Sequence, residues 1–271
     1  MQSVLFSIII PWSNRPSLLQ TLQDNRAAFL SYPTEIIIVN GGGDEAMLTD
    51  IVRQADLDIQ VLSLSAMKVF NKCYCLNVGA HHAKGQYLFF LDADIIFTEA
   101  LLTEVLTYLP ADHFVTVEKV KESAAKPGGP SSYLSELAYY IEIADITQRR
   151  VKIETSRIFI NEKSRSAPGL IFMKRADFET VNGMNAALEG WGWEDNDLLA
   201  RLQLVLALQW KRCGSAIHLT HGDDVRVLPA GSRQVSEQRN FGICLDNYSQ
   251  GNYLGTYKQD IESYLGTPVA P

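Results

Sequence analysis

Four short apolar runs rich in Ile and Val, namely Leu5 to Ile10, Glu35 to Val39, Ile59 to Leu64 and Tyr87 to Leu91, constrain this chain more than any other feature. Runs with little polar alternation are strands of a sheet covered on both faces. Helical patterns separate them: Leu18, Leu22, Ala28 and Phe29, then Met47, Ile51 and Ala55, then Cys75, Val78 and Gly79 leading to Lys84. Strands alternating with helices make βαβ units with right-handed crossovers, so residues 1 to 97 read as an α/β half of the nucleotide-binding type.

The alternation stops there. Residues 121 to 167 combine a Pro/Gly turn at Lys126 to Pro130, an expected helix around Tyr133 to Ile143, and a basic polar stretch from Arg149 to Arg165. This segment reads as an insertion over a cleft. A strand at Leu170 to Met173, a helix at Arg175 to Val181 and a turn at Asn182 and Gly183 precede the acidic run Trp191 to Asp197. Leu198, Leu202, Val205 and Leu206 then share a helical face, which puts the acidic run at a helix N-terminus. Another strand is expected to end at His218 to His221. Residues 222 to 252 show no clear period and are expected to form a mobile loop, with a last helix near Tyr257 to Tyr264. The expectation is one domain over 1–271: a nucleotide-binding half (1–97), an acceptor and metal half (98–222) carrying the insertion 121–167, and a lid loop with a C-terminal tail (223–271).

Composition excludes some partners. The 271 residues hold 24 Lys plus Arg against 31 Asp plus Glu, with a pI near 5.3 and no basic run, which argues against binding a nucleic-acid backbone. Cys73, Cys75, Cys213 and Cys244 fit neither a C-x-x-C pair nor zinc spacing, and read as free thiols in a reducing compartment. No basic leader and no membrane-spanning apolar window is visible, so a cytoplasmic protein is expected.

The chemistry-bearing residues fall in separate places. The 16 Asp predict about one D-x-D pair by chance and three occur, so position decides between them. Only Asp92 and Asp94 directly follow a hydrophobic strand, at the carboxyl edge where open α/β sheets bind ligands. Oxygen donors there suit Mg²⁺ or Mn²⁺ bridging a diphosphate, though two carboxylates capping a helix would look the same. His218 and His221 follow the apolar pair Ala216 and Ile217; imidazole favours Mn²⁺ over Mg²⁺, should either histidine meet Asp94. Trp191 to Asp197 places two indoles beside three carboxylates, which suits a sugar stacked on a ring and a carboxylate acting as general base. A helix N-terminus with buried tryptophans is the alternative. Pro11 to Arg15 and Asn40 to Asp44 are turns after strands that let a nucleotide approach the backbone. No G-x-G-x-x-G, Walker A or nucleophile elbow is present.

In order, these segments resemble glycosyltransferases of the GT-A fold, specifically family 2 enzymes with a galactosyltransferase-like C-terminal half, such as chondroitin polymerase modules and β-1,4-galactosyltransferases. The resemblance spans roughly residues 4 to 222 and rests on Ile8 to Arg15, Phe70 to Lys72 with Leu76 to Gly79, Phe90 to Asp94, Trp191 to Asp195, and His218 to His221. It implies a mixed, mainly parallel sheet flanked by helices. It places Pro11, Trp12, Arg15, Asn40, Phe70 and Lys72 around a uridine diphosphate, with Asp92 and Ala93 also in the donor pocket. Asp94 and His221 would hold the metal, with His218 as a further ligand. Asp195 would be the catalytic base, Glu194 a sugar-binding carboxylate, and Trp191 with Trp193 the acceptor platform. The implied reaction is inverting, Mn²⁺- or Mg²⁺-dependent transfer of a hexose or N-acetylhexosamine from a UDP-sugar to a glycan, glycolipid or peptide. Asn40 and Ser13 depart from the family pattern at the nucleotide. Two other classes remain: a sugar-nucleotide nucleotidyltransferase, which lacks its glycine-rich basic loop here, and an idle sugar-binding module, which would not need Asp94, His221 and Asp195 together.

Overall fold

The structure, a computed structural model, describes residues 3–64, 67–124, 133–222 and 231–266. The first half alternates as its pattern dictates: β1 (Phe6–Trp12), α1 (Leu18–Asp24), α2 (Arg26–Leu30), β2 (Thr34–Asn40), α3 (Glu45–Ala55), β3 (Ile59–Ser63), α4 (Lys72–His82) and β4 (Tyr87–Phe90). The strands β1 to β4 pair in parallel in the order β3-β2-β1-β4. Alternate residues of one strand serve different cores: Ile8 and Ile10 pack with Leu18, Leu22 and Phe89, while Ile9 packs with Val39, Leu76 and Phe90. That is why the runs lack polar alternation. The exception is β3, the outermost strand, where Gln60, Val61 and Ser63 are exposed. Asp44 starts α3 by accepting from the Met47 amide (2.9 Å), and Asn71 starts α4 by accepting from the Tyr74 amide (3.0 Å).

The second half adds β5 (Ile95–Phe97), α5 (Glu99–Val105), β6 (His113–Glu122), β7 (Glu136–Ala144), β8 (Arg150–Phe159), β9 (Ser164–Lys174), α6 (Arg175–Thr180), α7 (Glu194–Leu206), β10 (Gln209–His218), α8 (Arg233–Ser249) and α9 (Tyr257–Gly266). Along the path β3-β2-β1-β4-β9-β6-β10-β5, four of the seven junctions are parallel, giving the mixed α/β sheet expected. Antiparallel β9 joins the two parallel blocks through β4 and β6.

Two expectations are corrected. The helix expected around Tyr133 to Ile143 is strand β7, paired with β8 from Glu136↔Phe159 to Ala144↔Arg150. Its Leu134, Leu137 and Ile141 imitate a helical period, but the β-branched and aromatic content supports the ladder, and pairing with β8 decides. Residues 231 to 252 of the expected loop are mostly helix, with Ser232 capping α8 through the Val235 amide (3.3 Å). The rest of the expected lid, residues 223 to 230, lies outside the described residues. No described helix is long and apolar enough to cross a membrane. All four cysteines are buried and unpaired.

Candidate active site

Three strand ends converge on a cleft of about 830 Å³. Antiparallel pairing sets His218 of β10 against Ile95, next to Asp94, and parallel pairing sets the same His218 against Glu122 at the end of β6. Asp94, His218 and His221 thereby bring one ligand atom each within 4.8 Å of one another. Nε2 of His221 lies 3.1 Å from Oδ2 of Asp94, and Nε2 of His218 lies 3.7 Å from Oδ1. The other ring nitrogens are occupied: Nδ1 of His218 is 2.6 Å from the Glu122 carboxylate, and Nδ1 of His221 is 2.7 Å from the Gly222 carbonyl. Those partners only accept, so each Nδ1 carries its proton and each Nε2 presents a lone pair toward Asp94 in the neutral ring. Acceptors converging in this way repel unless a proton or a cation lies between them. The donor set of two imidazoles and a carboxylate therefore fits a divalent transition metal, with Glu122 orienting His218. Burial, with the charge of Asp92 beside it, pushes the Asp94 carboxyl above its ordinary range.

The Asp92 to Asp94 segment is pinned from behind, where Ser17, just ahead of α1, and Thr21 within it both donate to the Ala93 carbonyl (3.1 and 3.0 Å). Across the cleft, Lys72 at the start of α4 bridges Asp92 (3.2 Å) and Asp195 (3.4 Å). Burial works against its charge, but Asp195, Asp92 and Glu194 together hold the ammonium well above its ordinary pKa. Burial likewise raises the Asp195 carboxyl, while Lys72 draws it back toward the ionised form. Glu194 is more enclosed: burial, with Asp195 alongside, pushes its carboxyl up to about 7, and its buried Oε2 has no hydrogen-bond partner among the described residues. Gly169 of β9 makes room for Asp195, since a β-carbon there would collide with its carboxylate.

The sequence-derived residues divide clearly. Pro11, Arg15, Phe70, Lys72, Asp92, Ala93, Asp94, Trp191, Trp193, Glu194, Asp195, His218 and His221 all line this one cleft. Trp12 and Asn40 do not. Trp12 is fully buried in the core, its Nε1 donating to the Arg15 carbonyl (2.8 Å), so it shapes the turn from behind. Asn40 is buried too, closing its own turn through the Gly43 amide and carbonyl and reaching Glu45 (2.9 Å). An Asn in a tight turn after a strand satisfies local backbone groups first. Sequence reasoning missed Glu122, Gly169, Arg165, Arg233 and Glu237, which also belong to the cleft wall. A carboxylate closing a strand was the one available signal for Glu122. The two α8 residues were hidden by reading that helix as a loop. Arg233 stacks on Trp191 (4.1 Å to the ring centre), and Phe241 packs on Trp193 (4.7 Å between ring centres).

Comparison with known proteins agrees with this geometry. The family model for glycosyl transferase family 2 matches residues 7–166, and that for the N-terminal domain of galactosyltransferase matches residues 149–221. No curated protein sequence matches the chain significantly. Among solved structures, TarS 1-349 of S. aureus is similar at 14% identity and a TM-score of 0.54, over 80% of this chain and 60% of that one. The same TarS fragment in complex with UDP-GlcNAc is similar at 12% identity and a TM-score of 0.51, over 81% of this chain and 59% of that one. The mannosyltransferase PcManGT of Pyrobaculum calidifontis, solved with GDP-Man and Mn²⁺, is similar at 13% identity and a TM-score of 0.52, over 100% of this chain and 78% of that one. This chain thus spans less than two thirds of the TarS fragment, and these likenesses establish the fold. With the family 2 model covering more than half of the chain, and the mixed sheet and carboxylate-lined cleft in place, the protein belongs to glycosyl transferase family 2 and has the GT-A fold.

Proposed function

We propose that the protein is a metal-dependent, inverting glycosyltransferase that moves a hexose or N-acetylhexosamine from a UDP-sugar to an acceptor hydroxyl or other nucleophile on a glycan, glycolipid or peptide. The observation that carries this reading is the placement of Asp94, His218 and His221 on one wall of the cleft and Asp195 on another, with Lys72 and Asp92 between them. UDP-GlcNAc, UDP and GDP-Man complexes among the structural neighbours support a sugar-nucleotide donor, and the Mn²⁺ in one of them supports the metal.

Asp94, His218 and His221 would hold a divalent ion, whose charge would stabilise the departing diphosphate. Asp195 stands at the cleft edge of the Trp191 and Trp193 platform, where it takes the proton from the acceptor nucleophile. The freed electron pair attacks the anomeric carbon from the face opposite the diphosphate. The carbon-oxygen bond to the diphosphate breaks and its electron pair leaves with UDP, so the configuration inverts. Burial disfavours the ionised form of Asp195 that can accept that proton, and Lys72 works against the burial. Glu194, its carboxyl pushed up to about 7 and so about half protonated at neutral pH, is suited in its protonated form to donate a hydrogen bond to a sugar oxygen.

Release of UDP from a panel of UDP-sugars with Mn²⁺ tests the reading. Asp195→Asn should lower kcat by about 10²- to 10⁴-fold while leaving UDP affinity near that of the native protein. A variant retaining more than a tenth of the native kcat rejects Asp195 as base, and undiminished turnover in excess chelator rejects the metal. Binding of UDP-sugar without any turnover would identify the idle sugar-binding module instead.

A further inference from the structure

The loop that carries the tryptophan platform holds a backbone conformation its own sequence does not secure. Gly190 (φ +80°), Gly192 (φ +97°) and Trp193 (φ +73°) all lie in the left-handed region. The glycines adopt it freely, but for Trp193 it costs about 1–2 kcal/mol. Trp193 is also the residue on which α7 begins, and its side chain makes no capping hydrogen bond. Glu194 and Asp195 follow at once, so an error in the loop is passed directly to the base.

The restraint comes from α8, one turn apart along a single face. The Ser236 hydroxyl accepts from the Trp191 amide (2.8 Å) and donates to the Glu189 carbonyl (3.3 Å). The Asn240 amide donates to the carbonyls of Glu189 (3.1 Å) and Gly192 (2.8 Å). Both side chains are sealed from solvent, at 1% and 0% exposure, and neither lines the cleft. Two buried polar side chains aimed at one stretch of backbone are costly to place unless those bonds form, which makes the contact specific.

We infer that Ser236 and Asn240 are positioning residues of the transfer reaction: they fix the backbone of residues 189 to 193 and thereby the places of Trp191, Trp193 and Asp195. The inference rests on the proposed role of Asp195. Neither residue touches substrate, so its loss should lower kcat and leave donor binding intact. A displacement of about 1 Å in a catalytic group is enough to cost on the order of 100-fold.

The experiment uses the full chain labelled with 5-fluorotryptophan, in which Trp12, Trp191, Trp193 and Trp210 give four fluorine resonances assigned by Trp→Phe substitution. Ser236→Ala and Asn240→Ala should shift the Trp191 and Trp193 resonances and leave those of Trp12 and Trp210 in place. UDP affinity with Mn²⁺ should stay within about threefold, while kcat for UDP-sugar turnover falls about 10- to 100-fold. Tyr248→Phe is the control, because Tyr248 lies on the same helix and donates to Asp197 (2.8 Å) without contacting the loop. It should lower the melting temperature and leave the two resonances unmoved. Should Asn240→Ala not fold, Ser236→Ala decides alone. Unshifted Trp191 and Trp193 resonances, a parallel loss of UDP affinity and turnover, or an equal kcat loss in Tyr248→Phe would each overturn the inference. A native protein that releases no UDP from any UDP-sugar overturns the proposed function itself and the transfer role with it, whatever the resonances do.

Discussion

Glu194 and Asp195 are neighbours in sequence, yet burial separates their chemistry. Asp195 keeps an ion pair to Lys72, whereas Glu194 has a buried oxygen with no partner among the described residues and a carboxyl pushed up to about 7 from 4.5. A carboxyl raised in the folded state is best tolerated while protonated. Below its unfolded value of 4.5 both states carry the proton; between 4.5 and about 7 only the unfolded chain has lost it, so stability falls as pH rises across that window. The loss should be on the order of 1–3 kcal/mol, and Glu194→Gln removes it. The variant should therefore unfold at a higher temperature than the native protein at pH 8 and gain little near pH 4.5. An equal difference at both pH values would show that Glu194 does not titrate in this window. The sequence marks both carboxylates as a pair beside the tryptophans, but only packing tells which one meets the Lys72 ammonium.

Elements decide how the site residues meet. Strand β5 has three residues, and Asn25 pins it by donating to the Ile95 carbonyl and accepting from the Phe97 amide (2.7 Å each). That anchorage fixes the strand against which β10 delivers His218. Strand β9 contributes by what it lacks, since Gly169 leaves space for the Asp195 carboxylate of α7. Gly169→Ala should force the carboxylate off Lys72, lowering kcat at least about tenfold and stability by about 1–3 kcal/mol. A variant with native kcat, assayed by UDP release, would mean that Asp195 relocates without consequence. Helix α8 shows why an element is overlooked. Its inward positions include Ser236, Asn240 and Cys244, at helical spacing but largely polar, so a search for apolar period finds nothing. In β7 the reverse occurs: an apolar period close to helical is overruled by pairing with the following strand, from Ala144↔Arg150 out to Glu136↔Phe159. Neither outcome is written in the local pattern.

Across the whole molecule, the cleft is built from both halves: Arg15, Lys72 and Asp92 from the first and Asp195, His218 and His221 from the second. A ligand that spans it should therefore link the halves thermodynamically. UDP with Mn²⁺ at about 100 times the dissociation constant should add about 2.7 kcal/mol, or roughly 5–10 °C in melting temperature for a chain of this size. Either component alone should do much less, and Asp94→Ala should abolish the part that depends on Mn²⁺. A shift from UDP that is unchanged by Mn²⁺ and by Asp94→Ala would place the nucleotide away from the Asp94 wall.

The apolar runs of residues 5 to 91 by themselves indicated the parallel β1 to β4 block, because short continuous apolar runs alternating with helical patterns make βαβ units. The order of five segments along the chain, Ile8 to Arg15, Phe70 to Lys72 with Leu76 to Gly79, Phe90 to Asp94, Trp191 to Asp195 and His218 to His221, likewise indicated the family. What only tertiary structure decided is how distant segments share work: Glu122 oriented toward His218 by strand register, Lys72 set between two carboxylates, and Trp12 and Asn40 withdrawn behind the cleft. Registers, cavities and shared charges depend on contacts between residues far apart in the chain, and a single sequence records each partner without recording the meeting.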